Sequence, residues 1–341
     1  MSNRAALKRL LTPAARLLLQ PLVGGLAALT APGVKALHKF GFEQQAQRIF
    51  ARHGFHLVRR HFYGAVPDEA DLPPDYWTRE SALVGLEMRA EAALKFMRED
   101  CAPYFAEFRQ MFPIHAKDGA NGFHLANGSF MMGDAHLYYA LIRHFRPARV
   151  VEIGAGMSTY IAAAASLKNA QDGTNTHLTA IEPYPSPALK AGFPGLNALI
   201  EQKVQAVDLA TFTALQANDI LFIDSTHVLR EGSDVLYEYG EILPRLAPGV
   251  LVHVHDVALP YPYSQTYFKM GYHWNEQYLL QAFLTYNHRF EVVWPGGYLA
   301  AKHPQAVLEA FPETHEVHKA FPMAGPSSFW MRVRDSEKSN E

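Results

Sequence analysis

The sequence contains almost no cysteine, since Cys101 is the only one among 341 residues. A single cysteine excludes an intrachain disulfide and a cysteine-rich metal site, and we expect an ordinary packed thiol. A reducing, cytoplasmic location is the simplest prediction. Neither sign of charge is in excess, because 31 basic and 33 acidic side chains leave a formal net charge of −2. This balance predicts no nucleic-acid partner.

The N-terminal segment lacks the features of a leader or a membrane span. No convincing small-residue cleavage pattern follows its apolar stretch, and prolines and a glycine pair interrupt it, at Pro13, Pro21, Pro32 and Gly24–Gly25. We interpret the segment as an amphipathic element that docks on the protein body or on a partner chain, in keeping with a homodimer. This interpretation is favoured over contact with a membrane surface.

From Arg149 onward, short apolar runs alternate with helical patterns such as SDVLYEYGEILPRL. The strand candidates are RVVEIG, HLTAIEP, LIEQKVQAV, DILFIDS, GVLVHVHDV, FEVVWP and SSFWMRV. This alternation predicts a mostly parallel sheet with helices on both faces, whose ligands bind beyond the carboxyl ends of the strands. Upstream, residues 81–112 carry apolar side chains at helical spacing and predict a helix.

The stretch VVEIGAGMSTY joins the first of these strands to a helix. Gly154 and Gly156 let the backbone turn sharply and approach a ligand closely. A nicotinamide fingerprint would need a small residue where Thr159 stands, and the Lys-Ser/Thr end of a phosphate-binding loop is absent. Glu152 would repel a pyrophosphate, whereas its carboxylate suits a cation with an amino group. The ligand is therefore predicted to carry no phosphate at this turn.

Two further acids follow the next two strands. Glu182, in IEPYP, can accept hydrogen bonds from both hydroxyls of a ribose. Asp208, in AVDL, follows the third strand, where a side chain can meet an adenine amino group. A nucleoside without a phosphate fits this order of acid, glycine turn, acid and acid.

These stretches, with DILFIDSTHVLREGSDVLYE and LPRLAPGVLVHVHDVALPYPY, resemble the class I S-adenosylmethionine-dependent methyltransferases. The nearest branch acts on small molecules and has an I-D-S-x-H motif. The resemblance covers residues 127–333. It implies a Rossmann-like, doubly wound fold with a mostly parallel seven-stranded sheet, an antiparallel last strand and a helical N-terminal cap.

The resemblance also implies S-adenosylmethionine as cofactor. The glycine turn would then face the methionine part, Glu182 the ribose and Asp208 the adenine, although no glycine precedes Asp208 as in the common form of the family. The residues predicted to hold the cofactor are Asn127, Glu152, Gly154, Ala155, Gly156, Ser158, Glu182, Asp208 and Asp224.

Polar residues follow the fourth and fifth strands, and we predict that Asp224, His227, His255 and Asp256 are catalytic. In one mechanism, His227 is the general base for an acceptor hydroxyl, and Asp224 or Asp256 orients it. In the other, the two acids and a histidine hold a divalent metal. Metal-dependent relatives use an Asp-Asx pair at the fifth strand, but here Val257 follows Asp256. We therefore favour the base and assign no metal ligands.

The next loop, residues 260–274, is rich in tyrosine and is predicted to form an aromatic lid, or to stack on the N-terminal segment. Glu276 begins the following helix, where a capping role and a contact with substrate both stay open.

These observations predict three regions: a helical cap in residues 1–125, a methyltransferase domain in residues 126–334 and a disordered tail in residues 335–341. The predicted activity is O-methylation of a small molecule, with a role in small-molecule biosynthesis. One alternative is a cyclase on the same fold that releases methylthioadenosine as S-adenosylmethionine closes on itself. A second alternative is a binding module without catalysis.

Overall fold

The computed structural model describes residues 13–56, 58, 61–116 and 122–335. The chain divides into two compact units, Met1–Asp71 and Leu72–Glu341. The described part of the first unit contains helices α1 (Pro13–Lys39) and α2 (Glu43–Arg52). Across the described ranges, no helix combines the length and the apolar character that crossing a bilayer requires. The predicted disordered tail lies outside the described residues, apart from Asp335.

The second unit contains a seven-stranded sheet in the order β3-β2-β1-β4-β5-β7-β6. Its strands are β1 (Arg149–Ile153), β2 (His177–Ile181), β3 (Ala198–Ile200), β4 (Ile220–Ile223), β5 (Leu251–Val254), β6 (Phe290–Pro295) and β7 (Phe329–Val333). Strands β1 to β5 pair in parallel, and β7 runs antiparallel to both β5 and β6. The predicted Rossmann-like sheet with an antiparallel last strand is confirmed.

Helices connect and cover these strands. They are α3 (Ala90–Phe96), α4 (Ala102–Met111), α5 (Asp134–Phe145), α6 (Met157–Gln171), α7 (Pro187–Ala191), α8 (Ala210–Thr213), α9 (Asp234–Tyr237), α10 (Gln265–Lys269), α11 (Glu276–Leu284), α12 (Gly296–Lys302), α13 (Pro304–Ala310) and α14 (Thr314–Ala320). The order of strands reverses between β1 and β4, and ligands of open parallel sheets bind at such a switch point.

Both faces of the sheet are buried in apolar clusters. Neighbouring residues of one strand belong to different clusters: Val150 belongs to the cluster that includes residues of α5 and α6, whereas Val151 belongs to the cluster that includes Leu280 and Leu284 of α11. This alternation follows from the period of two in a strand, and burial on both faces explains the continuous apolar run of β4. Helices α3 and α4 contribute residues to the cluster that contains Val150. The domain boundary placed at residue 125 from the sequence stays a prediction.

Three local predictions differ from the structure. Residues 81–89 are not helical, because Leu83, Gly85 and Arg89 adopt positive φ angles that a right-handed helix excludes. The segment predicted as one helix from Ser233 forms only the short α9, followed by a π-helical turn, Glu238–Ile242. Helices α12 to α14, between β6 and β7, were not predicted.

Candidate active site

The glycine turn lies between the tips of β2 and β4. Gly154 donates its backbone N–H to Ile181 O (2.9 Å), and Asp224 donates its own to Ile153 O (2.8 Å). Gly154 has a φ of +82°, and a Cβ atom there would overlap the carbonyl oxygen of Asp224. A Cβ atom on Gly156 would meet nothing within 4 Å. Gly154 is therefore required for the turn, whereas Gly156 borders open space.

Glu152 is a fully buried acid at the end of β1. Its Oε1 accepts a hydrogen bond from the Tyr138 hydroxyl (2.9 Å), while its Oε2 has no hydrogen-bond partner among the described residues. Burial raises the pKa of Glu152 from 4.5 to about 7, although the hydroxyls of Thr159, Tyr138 and Ser158 partly oppose this. A cationic group that binds the free oxygen of this buried acid would stabilise the charged carboxylate.

Glu182 meets the same turn from β2. Its Oε2 accepts a long hydrogen bond from the backbone N–H of Ala155 (3.4 Å), and its Oε1 accepts one from Tyr184 N (2.8 Å). Ser158 is buried at the start of α6, beside Glu152. The structure thus places the predicted residues Glu152, Ala155, Ser158 and Glu182 around one turn.

Two predicted cofactor residues make local contacts instead. Asp208 is exposed and accepts a hydrogen bond from Ala210 N (2.9 Å) at the start of α8. The Asn127 amide bonds within its own loop, donating to His124 O and Phe130 O and accepting from Phe130 N. Their roles toward a cofactor stay predictions.

Asp224, His227 and Asp256 converge beyond the ends of β4 and β5. His227 Nε2 lies 3.3 Å from Asp224 Oδ1 and 3.5 Å from Asp256 Oδ2. One ligand atom from each residue lies within 4.8 Å of the others, close enough to share a metal ion. His227 and Asp256 both have positive φ angles, +59° and +54°. Such angles are costly for residues other than glycine and are concentrated at functional sites.

The imidazole of His227 is held from behind by α11. Its Nδ1–H donates to Glu276 Oε2 (2.8 Å), a residue with no exposed surface. The carbonyl of His227 accepts backbone hydrogen bonds from Asn275 (2.9 Å) and Glu276 (3.2 Å). Both the ring and the backbone of His227 are therefore fixed by the start of one helix.

Charge around His227 favours its protonated form. Burial alone would lower its pKa, but hydrogen bonds with Asp224 and Glu276 raise the pKa of His227 well above its ordinary value. Burial would raise the pKa of Asp224, but the positive charges of His255 and then His227 lower it to about 2. The Asp224 side chain is 33% exposed and that of Asp256 is 25% exposed, so both carboxylates are accessible in front of a buried histidine.

His255 lies behind Asp256, with its Nε2 3.9 Å from Asp256 Oδ1. Burial lowers the pKa of His255, but the negative charges of Asp224, Asp256 and Asp134 raise it by more. The pKa of His255 therefore lies above the ordinary value for histidine. The Asp134 side chain makes no capping hydrogen bond at the start of α5. It accepts backbone hydrogen bonds from Ser327 (3.0 Å) and Ser328 (2.8 Å), just before β7. His255 is thus a buried member of the cluster rather than its accessible edge.

A family model described as a methyltransferase domain matches residues 151–257. The match begins in β1 and ends just after β5, so it includes the glycine turn, Glu182 and the Asp224–His227–Asp256 cluster. Residues 151–257 are therefore similar to a methyltransferase domain, in keeping with the predicted family. Glu276 and β7 lie beyond the matched residues.

Individual relatives are distant or partial. An uncharacterized protein of Archaeoglobus fulgidus is 45% identical over 96 residues, which are 28% of this chain and 42% of that protein. The chain therefore aligns with less than half of that relative's length. Among solved structures, the crystal structure of the SAH-bound Podospora anserina methyltransferase PaMTH1 has 15% identity and a TM-score of 0.35. That comparison covers 70% of this chain and 88% of the other, and so weak a similarity transfers no site.

The sequence leaves the role of Glu276 open between capping and substrate contact, and it assigns no role to a second buried acid, Glu238. Glu276 binds His227, and Glu238 lies in the π-helical turn, where its Oε2 accepts a hydrogen bond from the Ser225 hydroxyl (3.1 Å). Burial, and then the charge of Glu276, raise the pKa of Glu238 well above its ordinary value, which favours the protonated acid. A glutamate within a helical turn gives little sequence signal of such a role, although π-helical turns are frequent at functional sites.

Aromatic rings of the second unit reach the cluster through Trp274. Its ring centroid lies 4.6 Å from that of His227 and 4.6 Å from that of Tyr267. Tyr272 stacks on Trp274 at 5.6 Å, and Tyr263 meets it edge-on at 5.7 Å. The loop predicted as an aromatic lid therefore borders His227.

Proposed function

We propose that the protein is an S-adenosylmethionine-dependent O-methyltransferase that acts on a small molecule. The observation that carries the proposal is the position of the Asp224–His227–Asp256 cluster. Two accessible carboxylates and a fixed imidazole adjoin the glycine turn, because the carbonyl of Asp224 packs directly against Gly154. Groups that can bind and deprotonate a hydroxyl therefore adjoin the predicted cofactor pocket.

The residues around the glycine turn fit the proposed cofactor. The free, buried Oε2 of Glu152 suits an ammonium group, and Glu182 suits the ribose hydroxyls. Gly156 leaves open space where a ligand can approach the backbone. When bound, S-adenosylmethionine supplies a methyl group on a positively charged sulfur. The chain's own task is to align the acceptor and to exclude water, and the rings around Trp274 support the second part.

His227 is proposed as the base, with Glu276 as the positioning residue. Glu276 fixes the Nδ1–H, so Nε2 is the nitrogen that faces Asp224, Asp256 and an incoming hydroxyl. The raised pKa of His227 favours the imidazolium form, in which Nε2 also carries a proton. To accept a proton from the acceptor, His227 must first lose the one it holds.

The same three groups fit a divalent cation. Carboxylate oxygens and a neutral imidazole are suitable ligands, and a second-layer carboxylate on the other ring nitrogen is the usual partner of a metal-binding histidine. A bound divalent cation would lower the pKa of an acceptor hydroxyl and hold it in place. The predicted preference for a metal-free base is therefore open to test.

The activity is tested by identifying the nucleoside that is released. We expect S-adenosylhomocysteine when the protein is incubated with S-adenosylmethionine and a panel of hydroxylated small molecules, and no turnover with the cofactor alone. Methylthioadenosine from the cofactor alone would instead identify a cyclase. Unchanged cofactor with every acceptor, despite measurable binding, would favour a binding module.

Metal use is tested by calorimetric titration of chelator-treated protein with Mg²⁺ and Mn²⁺. If the cluster binds a cation, Asp256→Ala abolishes the heat of binding, whereas the exposed control Asp75→Ala leaves it unchanged. Full methyl transfer in chelator, with no heat of binding, would support the metal-free base. A cytoplasmic location, a homodimer and a biosynthetic role stay predictions.

A further inference from the structure

The first unit combines basic charge with exposed apolar side chains. Residues 1–71 contain ten of the 31 Lys and Arg residues but only four of the 33 acids, three of which stand in its last four positions. The first unit therefore has a formal charge of +6, and the remainder of the chain has −8. A charge asymmetry of this size within one chain indicates a specific partner for the basic part.

The long helix α1 presents a stripe of exposed leucines. We call Leu22, Leu26, Leu29 and Leu37 the leucine stripe, since their spacing places them on one face of the helix. They are between 38% and 80% exposed, whereas Lys35 is exposed on the opposite side. An apolar face with lysine on the other side is the pattern of helices that lie in the interface of a membrane.

The first unit exposes aromatic and further apolar side chains beyond α1 as well. Phe62 and Tyr63 are exposed by 81% and 85%, close to the basic pair Arg59 and Arg60 in the sequence. Among the described residues, twelve of the 22 exposed large apolar side chains belong to the first unit, which is the shorter of the two. Exposed apolar surface of this density marks an interaction site.

We propose that the first unit binds an anionic lipid surface, with the leucine stripe inserted at the headgroup level and the basic residues facing anionic headgroups. A second copy of the chain fits less well. Pairing of two first units would oppose two formal charges of +6, and the described part of the acidic remainder exposes fewer large apolar side chains to match the stripe. An anionic bilayer offers an apolar interior for the leucine stripe and negatively charged headgroups for the basic residues.

The test uses the full chain and sedimentation with vesicles. Vesicles of phosphatidylcholine with about 30% phosphatidylserine are expected to retain the protein, and pure phosphatidylcholine vesicles to retain at least about tenfold less. Salt at about 0.5 M weakens the electrostatic part and lowers retention. Equal retention on both vesicles, or none on either, would overturn the proposal.

Matched variants separate the two contributions. The double variant Leu26→Glu with Leu29→Glu is expected to lose retention by at least about tenfold, since it places charge in the apolar face. Lys35→Ala with Lys39→Ala should weaken retention about 25-fold, at about fivefold for each lysine near an anionic surface. The exposed control Met323→Glu lies outside the first unit and should change nothing.

The molar mass in the absence of lipid shows whether the leucine stripe binds a second copy of the chain instead of a lipid surface. Light scattering of the wild type and of the leucine variant is expected to give the same mass. A dimer that the leucine variant converts to a monomer, without vesicle binding by the wild type, would show that the stripe binds a second copy and would refute the lipid proposal. Circular dichroism confirms that each variant is folded.

Discussion

Replacing Glu152 by glutamine is expected to remove a pH-dependent loss of stability from the ligand-free protein and to weaken cofactor binding. The carboxyl has a pKa of about 7 in the folded protein, against 4.5 as its ordinary value, because burial disfavours its charge. Between these values the unfolded chain releases the proton that the folded protein keeps. The wild type therefore loses stability as the pH rises from 4.5 to about 7, and the neutral variant does not.

The size of this effect follows from the two pKa values. At about 1.4 kcal/mol for each pKa unit, the variant should gain about 3 kcal/mol over the wild type between pH 4.5 and about pH 8. The amide keeps an acceptor for the Tyr138 hydroxyl, and any cost of its buried N–H groups is the same at both pH values. The comparison of two pH values therefore isolates the charge.

Denaturant titrations of both proteins at the two pH values provide the measurement. The exposed Glu231→Gln is the control and should leave the pH dependence unchanged. Calorimetry should show cofactor affinity reduced at least about tenfold in Glu152→Gln, because one charge-assisted hydrogen bond contributes about 1.5–3 kcal/mol. A stability difference that is the same at both pH values would refute the reasoning.

Three further predictions concern the same domain. Glu182→Ala should weaken cofactor binding at least about tenfold by calorimetry, and the exposed Glu201→Ala should not; equal affinities would remove Glu182 from the site. His227→Ala should lower turnover about 10²–10⁴-fold with little change in cofactor affinity, and undiminished turnover would exclude it as the base. Gly154→Ala should cost more than about 3 kcal/mol in unfolding free energy because its Cβ overlaps backbone, whereas Gly156→Ala has room and should cost less than about 1 kcal/mol; similar losses would contradict this account.

The sheet was predictable because its strands are apolar runs that alternate with helical patterns. Burial on both faces gives β4 four consecutive apolar residues, and β1 ends in a glycine turn whose chemistry is local. Local patterns also placed Asp224 and Asp256 after neighbouring strands, so their convergence follows from the parallel order of β4 and β5. These parts depend on short-range sequence and on general rules of sheet assembly.

The remaining features depend on contacts that sequence spacing does not record. Glu276 reaches His227 across 49 residues, and the raised pKa of His227 follows from that contact and from Asp224. Apolar residues at 83–88 match helical spacing, yet positive φ angles at Leu83 and Gly85 direct the chain away from a helix. In these places tertiary packing overrides the local pattern.

The position of β7 ties the proposed acceptor site to the order in which the chain is made. This strand inserts between β5 and β6. Ser327, two residues before β7, accepts a hydrogen bond from Val257 N (2.8 Å) and contacts Asp256. Until β7 is synthesised, the edge of β5 has no partner and Asp256 has no support from this side. A nascent or nicked chain that lacks β7 keeps every residue of the glycine turn, yet it would expose an unpaired strand edge, so a partial product is prone to aggregate.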